Sequence, residues 1–126
     1  MELSVKTQQN HEVIDITDRV QELVASSAKA VCVFTSHTTC AVTTADLDPG
    51  AGEDLASAVW EMAPKLEYDR HHNPSHFPAH VAASVIGPSV IVPVKNAHLV
   101  LGSWQRIVLI ELDGPRSRQL SVINLE

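Results

Sequence analysis

The chain has 126 residues, 44% of them hydrophobic and 19% charged. That balance excludes disordered and fibrous classes, and the length leaves no room for separate cofactor and substrate domains, so residues 1–126 read as one unit. Nine Lys and Arg against fifteen Asp and Glu leave a net charge of −6, the wrong sign for a general polyphosphate binder, which argues against nucleic acid as a main partner.

Leu3, Val5 and Thr7 alternate with polar neighbours, and Val13 to Ile16 follow the turn-prone Gln9-Asn10, a pattern that predicts an opening hairpin. Thr17 is placed to cap a helix whose Val20, Leu23, Val24 and Ala28 form one apolar stripe. Residues 30–35, Ala-Val-Cys-Val-Phe-Thr, are a near-continuous apolar run and predict a central strand buried on both faces. Asp48 as N-cap, with Pro49 at the first helical position, opens a second helix carrying Leu55, Val59 and Met62 and ending before Pro64. Residues 65–78 hold two prolines and no sustained periodicity and read as a long loop, a common place for function. Pro78 opens a short helix with His80 and Ala83, which Gly87-Pro88 terminates. Strand-type residues then fill 90–94, 99–101, 104–112 and 119–125, with turns at Lys95-Asn96 and Asp113-Gly114-Pro115. The predicted class is α+β, a sandwich of mainly antiparallel sheet packed with two to three helices.

The two cysteines, Cys32 and Cys40, show neither a disulfide framework nor a CxxC pair, and the amino terminus lacks a basic segment followed by an apolar stretch. A cytoplasmic location and no membrane partner are therefore expected. Seven histidines are present, and His71, His72, His76 and His80 fall within ten positions. Neutral imidazole is the commonest nitrogen ligand of zinc, and three around an open position make a catalytic metal site. Pro78 would break a single helical ladder of His72, His76 and His80, and the plain alternative is a set of solvated loop histidines. His37 lies just past the apolar run 30–35, where a sheet delivers polar groups to its rim, and a loop folding over that rim would bring it to His72 or His80. Cys40 reads as core, and Asp46 as a metal ligand or general base. Arg106, Arg116 and Arg118 suit phosphate or carboxylate recognition, or simply a charged exposed edge.

Taken together, several stretches resemble the YjbQ-like family, small proteins often labelled secondary thiamine-phosphate synthases. They are Ser36-His37-Thr38-Thr39, Asp48-Pro49, Ala79-His80-Val81 leading to Ile86-Gly87-Pro88-Ser89, Val92-Pro93-Val94, Leu101-Gly102-Ser103-Trp104-Gln105 and Asp113-Gly114-Pro115-Arg116. The likeness covers most of the chain, and their order and spacing are more specific than any one stretch. It implies an α+β fold with a packed antiparallel sheet, a homotrimer, and a histidine cluster near a subunit interface able to hold a metal ion. Carried over by residue, His37 matches the histidine of the His-Thr-Thr motif and His80 that of the Ala-His-Ile motif. His72, eight positions before His80, takes the third place, with His71 the fallback. Gly-Ser-Trp-Gln resembles the family's Gly-Thr-Trp-Gln, so Trp104 and Gln105, with Arg116, stand as substrate-binding residues. The sequence departs from the family in having Ala45-Asp46 for an Asn-Glu pair, Arg106 for a glycine, and Pro74 and His76 in the loop.

The expectation is thus a divalent-metal site on His37, His72 and His80, zinc first and magnesium second, with Asp46 and Arg116 as catalytic residues and a small, phosphorylated molecule as substrate. Under the thiamine label, a pyrimidine diphosphate would join a thiazole phosphate, with Arg116 screening the departing charge. A histidine-rich site fits that step poorly, because diphosphate departure usually uses magnesium on carboxylates. Metal-assisted hydrolysis and a non-catalytic trimeric ligand-binding module are the alternatives.

Overall fold

Alternation and turn chemistry organise the computed structural model, which describes residues 1–126. In chain order the elements are β1 (Glu2–Lys6), β2 (Glu12–Asp15), α1 (Thr17–Gln21), β3 (Ala30–Thr35), β4 (Cys40–Asp46) and α2 (Ala51–Met62). A 3-10 turn (Pro74–His76) then leads into α3 (Phe77–Ile86), β5 (Ser89–Lys95), β6 (His98–Leu99), β7 (Gln105–Glu111) and β8 (Ser117–Leu125). The strands form a five-stranded sheet in the order β1-β8-β3-β5-β6 and a three-stranded sheet in the order β2-β7-β4, with antiparallel pairing throughout. The α+β class is as expected.

Three layers result. Leu3, Val31, Val33, Val92, Leu120 and Val122 on the inner face of the large sheet pack against Cys40, Val42, Ile107 and Leu109 of the small one. The opposite face of the small sheet, with Ala41, Val108 and Ile110, is covered by α2 and α3, whose Ala79, Ala82 and Ala83 let the backbones approach closely. The small sheet is the middle layer. Its strand β7 is therefore the one buried on both faces, from Ile107 to Glu111. This corrects the expectation for residues 30–35: β3 buries Val31, Val33 and Thr35, whereas Cys32 is only half-buried and Phe34 is exposed. No helix is long and apolar enough to cross a membrane.

Four further expectations are corrected. β1 and β2 do not pair as a hairpin; β1 joins β8 and β2 joins β7, in different sheets. The predicted helix from Thr17 to Ala28 stops at Gln21, because the Asn124 side chain accepts from the Ala25 N–H (2.9 Å) and donates to the Leu23 carbonyl (3.0 Å). Those are the groups a continuing helix would have used. Thr17 is also not its cap; its hydroxyl donates to Asp15 and accepts from the Ile107 N–H. At α2 the cap is Gly50 rather than Asp48: Asp48 and Pro49 form a turn closed by the Ala51 N–H to the Asp48 carbonyl (2.8 Å), and Gly50 takes φ +84°. α3 keeps to expectation, with Pro78 in its first turn and Gly87, φ +113°, ending it.

Candidate functional site

The ends of β3, β7 and β8 converge on the loop that precedes α3. Between them lies an open cleft of about 690 Å³ whose lining is polar except for Pro115. His37 enters from the β3–β4 connection, and Asp113 and Arg116 from the β7–β8 turn. His71, His72 and His76 come from the loop and 3-10 turn, and His80 from the first turns of α3. Of the predicted site residues, His37, His72, His80 and Arg116 are thus brought to one cleft.

The imidazoles are not arranged as the expected trio. His71 is the central ring: its centroid lies 4.2 Å from that of His72, 4.9 Å from that of His80 and 4.7 Å from the Phe77 ring. His71 Nδ1 accepts from the Asn73 N–H (3.0 Å). His37 stands on the opposite wall, and its Nε2 accepts from the Gln119 N–H (3.1 Å). In the neutral ring the proton is then on Nδ1, and the Nε2 lone pair is occupied. No three His, Cys, Asp or Glu side chains of the chain are grouped to hold one metal ion. The donor set as arranged does not fit the three-histidine metal site on His37, His72 and His80.

Electrostatics favour the neutral form of His37 and His80. Burial holds His80 below the ordinary 6.5, and the neighbouring His71 adds to this. His37 is likewise lowered, first by burial and then by the Arg118 guanidinium. Asp113 Oδ2 accepts from Arg116 Nη2 (2.9 Å) and lies 3.5 Å from His76 Nδ1, tying the loop to the β7–β8 turn.

Behind this wall sits a buried ion pair that the sequence reading did not single out. Arg118 is 2% exposed and Glu111 is not exposed at all. Arg118 Nε donates to Glu111 Oε1 (2.9 Å), and Nη2 reaches Glu111 Oε2 and the Thr39 hydroxyl (2.8 Å) and carbonyl (3.1 Å). Glu111 also accepts from the Thr7 hydroxyl (2.7 Å) and the N–H groups of Leu112 and Asp113. The available signal was a carboxylate at the end of the apolar run Ile107–Ile110, since such a charge is buried only with a partner. Gly114 permits this packing: a Cβ there would lie 2.8 Å from Glu111 Cγ and collide with the Gln9 carbonyl.

Asp46, Trp104 and Gln105 are elsewhere. They border a shallow depression at the far end of β4 and β7, with Thr44 and Gly102. β4 runs from Cys40, next to the cleft, to Asp46, about 20 Å away along an extended strand. Gln105 bridges the Thr44 hydroxyl (3.1 Å) and the Gly102 N–H (3.0 Å), and the Trp104 ring is largely exposed. Asp46 Oδ1 accepts from the Asp48 N–H (3.0 Å). Within one chain, then, Asp46 does not stand beside the imidazoles.

The same fold occurs in solved structures. A protein of the yjbq/upf0047 family from Clostridium acetobutylicum superposes with a TM-score of 0.88 at 33% identity, covering 99% of both chains. A conserved hypothetical protein of Thermus thermophilus gives 0.88 at 30% identity, again over 99% of both. In sequence, a UPF0047 protein of Archaeoglobus fulgidus is 41% identical over 97% of this chain and 98% of its own. The UPF0047 protein YugU of Bacillus subtilis is 36% identical over 92% and 91%. The family model described as UPF0047 protein YjbQ-like matches residues 1–125, so the chain belongs to the YjbQ-like UPF0047 family.

Proposed function

We propose that this protein binds a small phosphorylated molecule in the polar cleft, with neutral imidazoles available for proton transfer, and that it works as an assembly of identical subunits in the cytoplasm. The carrying observation is the lining itself: five histidines and two arginines border one cleft whose walls hold no apolar residue but Pro115. Guanidinium groups recognise phosphate oxygens by direction as well as charge, and His80, held below its ordinary pKa by burial, is neutral at neutral pH and so has a lone pair to accept a proton. The thiamine-phosphate synthase reading draws on the same cleft, since both of its substrates carry phosphate. Magnesium would need carboxylates, and the only one in the lining, Asp113, is held by Arg116. Diphosphate departure would therefore rest on guanidinium and imidazole groups.

Assembly is supported by the outer face of the large sheet. Phe34, Ile91, Ile123 and Leu125 are exposed there on β3, β5 and β8, with Cys32 paired opposite both Ile91 and Ile123. Such a contiguous apolar face on adjacent central strands is a surface for a second copy of the chain, as in a homotrimer.

The test is a titration of histidine ring resonances with inorganic phosphate and pyrophosphate. Saturable shifts at His37, His71 and His80 are expected, and their absence up to millimolar ligand overturns the reading. Metal content of the untagged protein gives a second check: equimolar zinc, lost in both His37→Ala and His80→Ala, would reinstate the three-histidine metal site against the present geometry.

A further inference from the structure

Among arginines in the cleft, Arg118 is the unusual one. It is almost wholly buried, yet it lines the cleft. Nε and Nη2 are committed to Glu111 and Thr39, while Nη1 makes no hydrogen bond within the chain. No buried side-chain nitrogen or oxygen lacks a partner, so Nη1 is open to solvent, and the cleft is where this residue meets it. An almost buried guanidinium held at two nitrogens has lost the freedom that makes surface arginines poor at fixing a ligand's orientation. Beside it, Thr38 and Thr39 lie between β3 and β4, and their N–H groups donate to no atom of the chain.

From this arrangement, and resting on the reading that the cleft takes a phosphorylated molecule, we infer that Arg118 is the seat of the ligand's terminal phosphate at the cleft floor. Nη1 donates to a phosphate oxygen, and Glu111 and Thr39 are positioning residues that hold the guanidinium plane. The pairing with Glu111 cancels most of the long-range charge, so the seat works through directed donors rather than through a general positive field. That fits a chain of net charge −6. Asp113 borders the same cleft with its carboxylate held by Arg116; it opposes a loosely placed anion and favours one drawn to the floor. Arg116, half exposed at the rim, supplies the outer contact.

Removing Arg118 alone would strand the Glu111 charge, so two variants that leave no unpaired buried charge carry the test. Arg118→Lys keeps the charge and loses the fork. Arg118→Met combined with Glu111→Leu replaces the ion pair by apolar groups of similar volume, an exchange that is often neutral for stability. Pyrophosphate binding is measured by calorimetry on each full-length variant, with circular dichroism and melting temperature as the control for folding. The expected result is at least about tenfold weaker binding for Arg118→Lys and none detectable for the double variant. A folded variant of either kind that binds pyrophosphate within about twofold of the wild type overturns the seat while leaving the cleft reading intact. No binding by the wild type removes both. If the double variant fails to fold, Arg118→Lys decides alone.

Discussion

At the residue scale, Glu111 shows how a charge is tolerated at the end of a strand buried on both faces. Burial alone would raise its carboxyl, but hydrogen bonds from Arg118, Thr7 and the Asp113 backbone, with the guanidinium charge, outweigh that and hold it below the ordinary 4.5. A carboxyl that is lower in the folded chain takes up a proton on unfolding. Its stabilising contribution is therefore complete above about pH 4.5 and is lost as the pH falls through the folded value. Glu111→Gln should lose about 3 kcal/mol at neutral pH by leaving Arg118 uncompensated, lowering the melting point by roughly 10 °C. Because this titration is then absent, the variant's stability should fall less steeply than the wild type's on acidification below pH 4.5. Thermal melts from neutral to acidic pH check both statements, and parallel acid limbs would refute the second.

At the scale of elements, legibility followed how local each signal was. β5, β7, β8 and α3 were readable because runs of strand-type residues bounded by turns, a proline in the first turn and a glycine terminator all act within a few residues. The short α1 was not, because its stop is set by Asn124, 99 residues from Ala25 along the chain. The missed partners of β1 and β2 have the same cause: alternation identifies a strand but not its neighbour. The histidines of the site were visible as composition, whereas Arg118 on β8 and Glu111 on β7 acquire their roles only when the two sheets pack together and their side chains meet. Asn124→Ala should accordingly cost about 1–2 kcal/mol, because it removes the bonds to the Ala25 N–H and the Leu23 carbonyl. Urea melts should show a lower midpoint with an unchanged slope. Hydrogen exchange of the 22–28 turns should accelerate more than that of β3, and uniform acceleration would show that Asn124 does not act locally.

For the whole molecule, the balance between core and surface decides how many copies act together. One face of the large sheet closes the main core, while the other presents Phe34, Ile91, Ile123 and Leu125 to solvent on neighbouring strands. The apolar run that predicted a doubly buried β3 is satisfied on its second face only if another chain supplies the cover. Ile91 is the most exposed of these side chains at 63%, so a charge there is nearly neutral for an isolated subunit, within about 0.5 kcal/mol. In an assembly the same charge would be desolvated without a partner, at a cost of several kcal/mol per interface. Ile91→Asp should therefore leave circular dichroism unchanged while converting the proposed homotrimer to monomer in sedimentation at micromolar concentration. The melting temperature should fall with it and, in the wild type alone, should rise with protein concentration. A wild type that already sediments as a monomer, with a melting point independent of concentration, would leave the outer face of β3 without a cover and remove assembly from the proposed function.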